Sequence, residues 1–483
     1  MSRRAASISR GCIERSAWAA ALVGLVVLGG ASPAAASAPD LFGHGARSAA
    51  LARADIAEGE PTDTGNPAFA AAAGVRLRVG YGYGAMLLRL NGADAGVADV
   101  SGVDFAAQAG AELTPSLRAG VALAVHLPDT SLATIAFRPG TEPQFPLYES
   151  ALQRTAADLG VALRYKGISI GGGVTMGLRV AGHGTSFDLE QDAAGTHGDA
   201  AADVELPYLV APLAGLRLNL GRLAVGATFR GAMAVAMHLD NVSRIALNEN
   251  PLNGATTVKV SGTSGFDPAR IRAGAAFSVG AGLFAHAAME VAFYSAAPPP
   301  VADVAIDVRL GTTPSLREVR FIEPRFRTTL SPRLALELRY PAPARGASLG
   351  EPSLASGRAT APPSADAPSP PRSRARRPAA PSSEADPPWR WAIRGGYVLA
   401  PSPVPPQTGF TSYADATRHG VSLGGGYRFG RALGVELSAS LATELHILEA
   451  RREQKPSASL PYASYEVSGL ILHGAATLEA AWR

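Results

Sequence analysis

Gly420-Val421-Ser422-Leu423-Gly424 has the G-x-S-x-G spacing of a nucleophile elbow, in which a serine stands on a tight strand-to-helix turn. Here no helix follows. The alternation runs on through Gly425-Gly426-Tyr427-Arg428-Phe429, so the pattern places Ser422 on one face of a strand rather than on a turn. Gly171-Gly172-Gly173 and Gly424-Gly425-Gly426 could cradle phosphate only before a helix or a Lys-Ser/Thr pair, and neither is present. The nine histidines show no H-x-x-x-H spacing and no carboxylate cluster beside them. We therefore expect no enzyme activity, no catalytic residue, no cofactor and no metal.

The elements that carry these residues have a period of two. In Val103–Leu113 one face is wholly apolar and the other bears Asp104, Gln108 and Glu112. In Leu117–Leu127, Leu117, Val121, Leu123, Val125 and Leu127 lie opposite Arg118, Gly120 and His126. Segments of about ten residues with one apolar face mark strands whose outer side meets lipid, and a closed ring satisfies every backbone N–H and C=O there. The pattern predicts strands near 75–90, 100–113, 117–127, 157–166, 168–180, 204–220, 223–238, 268–277, 282–294, 318–340, 389–400, 418–429, 433–446 and 463–482. That is an all-β fold, a transmembrane antiparallel β-barrel of about 14 strands. Connections alternate between tight turns and long loops, as periplasmic turns and outer loops do in such barrels. Aromatic residues fall near strand ends, among them Tyr81, Tyr165, Tyr340, Trp391, Tyr427 and Trp482, where membrane interfaces favour them. Inward positions read as glycine, alanine and serine with scattered charges.

Composition agrees with this reading. The chain has 483 residues with 53 glycines and only 17% charged residues. Glycine at that level disfavours a helical protein, and 47% hydrophobic residues disfavour a disordered one. Arg3, Arg4, Arg10 and Arg15 precede an apolar run from Ala17 to Leu28 and small residues through Ala36, the form of a secretory signal over residues 1–36. Cys12, the single cysteine, and a net +3 would leave with it, taking the formal charge from +4 to +1. Nucleic-acid binding then loses its electrostatic basis, and the cell outer membrane becomes the expected location.

Three stretches carry a family resemblance. Leu41-Phe42-Gly43-His44-Gly45-Ala46-Arg47 through Ala52, with Asn66-Pro67-Ala68 after it, resembles the N-terminal plug of the FadL/TodX outer-membrane transporters. Leu338-Arg339-Tyr340, then Ile393-Arg394-Gly395-Gly396-Tyr397 and Ser402-Pro403-Val404-Pro405, resembles the same family. So does Asp415-Ala416-Thr417-Arg418-His419 leading into Ser422–Phe429. The resemblance implies a fourteen-stranded monomeric barrel, with residues 37–73 folded into the lumen as a hatch and Asn66, Pro67 and Ala68 as the hatch motif. It also implies passive uptake of long-chain fatty acids or other hydrophobic compounds. Proline lacks an N–H and restricts Asn66 to extended geometry, which leaves the Asn amide free to bond the barrel wall. Thr64-Gly65 and Phe69-Ala70 stand where the family has aromatics and Gly-Leu, so the hatch contacts are expected to differ.

Candidate ligand-capture residues lie in two long loops, Phe137, Phe145, Leu147 and Tyr148 in one and Ile245, Leu247 and Leu252 in the other. Residues 74–340 would supply strands one to ten and 389–483 strands eleven to fourteen. Between them, residues 341–388 hold 12 prolines among Ser, Ala and Arg, the composition of a polyproline-biased linker. By strand direction this insert occupies a periplasmic turn, where its arginines could engage peptidoglycan or a periplasmic partner. A general diffusion porin, or a structural outer-membrane barrel in contact only with lipid, is the alternative reading.

Overall fold

The computed structural model describes residues 41–60, 62, 65–129, 143, 145, 147–148, 155–178, 181–192, 195–205, 208–246, 254–297, 301–310, 319–320, 325–341, 389–409, 412–432, 434–460 and 462–482. Fourteen strands close into one antiparallel ring. They are β1 (Gly74–Leu90), β2 (Val100–Thr114), β3 (Leu117–Pro128), β4 (Ala156–Tyr165), β5 (Ile168–Leu178), β6 (Tyr208–Asn219) and β7 (Leu223–Arg230). The ring continues with β8 (Arg270–Gly280), β9 (Leu283–Ala292), β10 (Thr329–Pro341), β11 (Trp389–Ala400), β12 (Arg418–Ala432), β13 (Val435–Gln454) and β14 (Ser464–Trp482). Each strand pairs with its sequence neighbours, and closure comes from β1, which pairs with β2 on one side and β14 on the other, Val75 opposite Trp482.

Strand alternation sorts the side chains as a bilayer requires. On β1, Leu77, Val79, Tyr81, Tyr83 and Leu87 face outward and exposed, while Arg78, Met86 and Leu88 are buried inside. On β10, Leu330, Leu334 and Leu336 face outward against buried Arg333, Glu337 and Arg339. Two-sided strands of this kind form a wall between a polar interior and an apolar surround. Among the described residues no helix is long and apolar enough to cross a membrane.

The fourteen expected strands correspond one to one with those of the ring, with differences at the outer rim. The expected strand 223–238 is two strands: β7 ends at Arg230, and Met233–Ala246 follows after a break at Gly231. The returning strand breaks beside it, at Pro268, which has no N–H to give the ladder. The expected strand 318–340 starts only at Thr329, and 433–446 runs on to Gln454. The stretches 181–203, 239–267 and 295–317, read as loops, carry most of Ala181–Asp192, Gly195–Glu205, Met233–Ala246, Gly254–Asp267 and Val301–Leu310, which with Val319–Arg320 from the expected strand 318–340 form a separate six-stranded sheet. A period of two is the same whether a strand faces lipid or water, so periodicity cannot mark where the wall ends.

The short connections β2–β3, β4–β5, β6–β7, β8–β9 and β12–β13 gather at one rim together with the C-terminus, and β10 and β11 leave from that rim toward the 342–388 insert. The insert itself lies outside the described residues, as do the signal segment, Phe137, Leu247 and Leu252. Inside the ring, helix α1 (Ala46–Ala50) leans on β11 to β14, and a 3-10 turn (Pro67–Ala71) leans on β2 to β6.

Candidate functional site

The lower half of the N-terminal segment is seated by side chains that reach its backbone. Asn66 caps the 3-10 turn, its Oδ1 accepting from Ala68 N at 3.1 Å, with Pro67 at the first helical position where a missing N–H costs nothing. Its Nδ2 donates to Ile56 O at 2.9 Å and to Leu216 O of β6 at 3.3 Å, so one amide ties segment to segment and segment to wall. Gln108 of β2 donates to Ala70 O at 2.9 Å and Ala72 O at 2.6 Å. The wall is shaved to allow this approach: a Cβ on Gly120 would lie 1.9 Å from Ala70 O, and one on Gly110 2.0 Å from Ala72 O. The glycine excess of the sequence is in part this footprint.

The upper half is held by charge. Arg47 donates to Glu337 of β10 through Nε at 3.3 Å and Nη2 at 2.8 Å. Glu337, fully buried, also accepts from Arg339 Nη2 at 2.9 Å and from Arg394 Nε of β11 at 2.8 Å. Higher on the wall Glu290 gathers Arg270, Arg272 and Arg333, and Arg333 Nη1 donates to Ala52 O at 3.1 Å. Ser422, the serine of the elbow-like pattern, donates its hydroxyl to Ala50 O at 2.9 Å. An activated nucleophile donates to a general base instead, so this serine is an anchor. The expectation of an inner face with scattered charges is corrected: Arg78, Glu290, Arg333, Glu337, Arg339, Arg394 and Glu444 are buried and largely gathered around the segment. Adjacent strands bring most of them together: Arg272 stands opposite Glu290 across β8–β9, and Glu337 opposite Arg394 across β10–β11.

At the outer end the filling is apolar. Leu41 and Phe42 pack with Met86 and Leu88 of β1, Val100 of β2, Leu448 of β13, and Tyr465, Val467 and Ile471 of β14. Phe42 stacks on His473 with ring centroids 4.0 Å apart. The loop residues Phe145 and Tyr148 enter the same cluster, fully buried, with Leu147 packed against it. A polar clasp pins that loop to the one between β11 and β12: Tyr148 Oη donates to Asp415 Oδ1 at 3.0 Å and accepts from Arg418 Nη1 at 3.1 Å. Burial drives the Asp415 carboxyl above the ordinary range, against the opposing pull of Ser402 and Arg418. Three of the capture candidates, Phe145, Leu147 and Tyr148, thus sit at the outer end of the lumen against the N-terminal segment. Ile245 occupies a register position in the outer sheet, opposite Gly254.

Sequence reasoning singled out Asn66 through its motif. It missed Arg47, Gln108, Glu337 and Arg394 as lumen contacts, although Arg333, Glu337 and Arg339 alternate with Leu334, Leu336 and Leu338, a usable sign of a charged inner face.

No protein-family model matches the chain, and no curated protein matches it. Solved structures do. A Pseudomonas aeruginosa FadL homologue aligns with a TM-score of 0.50 at 12% identity, over 94% of this chain and 98% of that one. The P. putida toluene transporter TodX aligns with a TM-score of 0.47 at 13% identity, over 92% of this chain and all of that one. The Ralstonia pickettii toluene transporter TbuX gives 0.45 at 11%, again over 92% of this chain. At such identities the likeness is one of fold.

Proposed function

We propose that this FadL-type barrel is an outer-membrane transporter for passive, ligand-gated uptake of hydrophobic compounds, long-chain fatty acids among them, with residues 37–73 as its hatch. The observation that carries the reading is a lumen filled by the N-terminal segment, apolar at its outer end and polar below. Hydrophobic compounds cross a sugar-coated leaflet poorly but partition well into an apolar pocket. We assign capture to Phe145, Leu147 and Tyr148, which belong to the apolar cluster at the outer end. Bound ligand favours an open hatch over a closed one, and its differential affinity supplies the opening free energy. The likeness to a FadL homologue supports the barrel type, and the names of TodX and TbuX suggest aromatic hydrocarbons as an equal candidate class.

A general porin would need water through the lumen, whereas here buried Glu337 and Arg333 of the wall are bonded to the hatch. Purified protein should bind oleate or toluene in detergent, and vesicles with a lipopolysaccharide outer leaflet should take up at least one of the two faster with the protein than without. Absence of both binding and uptake would overturn the reading, and large steady ionic currents in planar bilayers would replace it with a porin. The insert at 341–388 we assign to peptidoglycan or a periplasmic partner, through its clustered arginines.

A further inference from the structure

The two parts of the N-terminal segment are held in ways that differ in reversibility. From Ile56 to Ala72 the backbone is seated in the wall. Asn66 bonds Ile56 O and Leu216 O, and Gln108 bonds Ala70 O and Ala72 O. Arg217 donates to Ala57 O at 3.1 Å and to Glu58 at 2.9 Å. Cβ atoms on Gly120 or Gly226 would collide with Ala70 O or Ile56 O, so this part fits a groove cut for its backbone.

From Leu41 to Asp55 the pattern is different. The stretch is braced within itself, Ser48 Oγ donating to Asp55 Oδ1 at 3.1 Å and Arg53 N to Ser48 O at 2.8 Å. It meets the wall through the small side chains of α1, Leu51 and Ala54 against Ala288 and Ala335, and a close approach of Leu51 to Gly396. Two accepted backbone bonds at Ala50 and Ala52, the His44–Asp158 pair, whose Asp158 also holds Thr175, and the Arg47–Glu337 pair add to the contact. Parting a buried ion pair normally strands a charge. Here neither partner is stranded. Glu337 keeps Arg339 and Arg394, and Arg47, which gives up Glu60 at 3.9 Å, keeps Asp55, 3.8 Å away on the same braced stretch. Leu41 and Phe42, at the head of that stretch, belong to the outer apolar cluster, so a ligand entering there meets the detachable part first.

We infer that Leu41–Asp55 leaves the wall as one unit about a pivot at Ile56, with Arg47 as the gating residue and its pair with Glu337 as the latch. This rests on the transport reading above and names which residues open it. The test uses the full chain in a Cys12→Ser background, with folding of each variant followed by the heat-dependent gel mobility of the closed barrel. In planar bilayers in potassium chloride, Arg47→Gln should raise the conducting fraction at least about tenfold over the parent, since losing the latch shifts the open–closed ratio directly. Adding Ala50→Cys and Ser422→Cys should abolish those openings when oxidised and restore them on reduction. The pair Ala70→Cys and Ala122→Cys, joined across the seated part, should leave them unchanged.

The inference is overturned if Arg47→Gln conducts no more than the parent. It is equally overturned if the 70–122 cross-link silences the channel as completely as the 50–422 cross-link, because then the whole segment must move. The two readings fail separately. Conduction by Arg47→Gln with no uptake of oleate or toluene by the parent would remove the transport reading and leave the latch. Uptake by the parent with a silent Arg47→Gln would do the reverse.

Discussion

Asn66 shows how much one side chain can fix. Its carbonyl oxygen caps the turn it begins, and its amide nitrogen spans two backbone carbonyls, one on the segment and one on β6. The glycines opposite are the other half of that fit. Gly120→Ala would set a Cβ 1.9 Å from Ala70 O, a backbone atom that cannot rotate aside, whereas Gly172 faces outward with its nearest atom, Leu213 O, 4.0 Å away. Overpacking at the inner site should cost about 1–3 kcal/mol of segment seating. We therefore expect Gly120→Ala to speed proteolysis of the N-terminal segment while the barrel stays folded, and Gly172→Ala to do neither. Equal behaviour of the two variants would mean that the close approach has no energetic weight. Asn66 was legible because a motif drew attention to it. Gln108 was legible only as one polar position among alternating apolar ones, since nothing local says that its partner lies 36 to 38 residues earlier.

At the scale of elements, strands were legible and loops were not. A lipid-facing strand must show every second residue as apolar, so each of the fourteen declared itself in sequence, and β11 did so to the residue. Loops obey no such rule. The outer sheet went unseen because its strands alternate as the wall does, and the clasp between the 143–148 and 401–417 loops has no periodicity at all. That clasp carries a pH dependence whose sign follows from Asp415. Burial raises its carboxyl above the unfolded value, so the docked form binds the proton more tightly than the undocked form. The contribution is complete below the unfolded pKa of about 3.9 and is lost as pH rises through the docked value. Hydrogen exchange at Leu147 and Tyr148, corrected for intrinsic rate, should show protection falling across that window. Asp415→Asn, which mimics the neutral carboxyl, should flatten the profile and keep the loop docked. A wild-type profile that is already flat would show that the carboxyl does not control the clasp.

For the whole molecule the deciding event is ring closure. It brings β1 to β14 and encloses the N-terminal segment, against which β8 to β11 set their arginines and glutamates, with a short-turn rim at one end and a long-loop rim at the other. Alternation implied the ring and, on β10, a charged inner face; it could not give the strand register that sets Arg272 opposite Glu290 and Arg394 opposite Glu337. The same sorting makes the insert testable. β10 and β11 pair down to Pro341 opposite Trp389, and Tyr340 stacks on Trp391 with centroids 3.9 Å apart, so the hairpin is already locked at its base without help from residues 342–388. Replacing 342–387 with Asn-Gly would leave a connection of ordinary hairpin length and turn chemistry. Shortening a flexible loop that far should lower its closure cost by about 2 kcal/mol, so the variant should fold and resist heat at least as well as the parent. Its conductance and hydrophobic uptake should match the parent, because no described contact of the N-terminal segment reaches beyond the strands that flank the insert. Retention on isolated peptidoglycan should fall, and fall further with salt in the parent, since clustered arginines bind by screened attraction. Retention that survives the replacement would assign the insert to spacing alone, and a variant that fails to fold would mean the hairpin needs the insert to find its register.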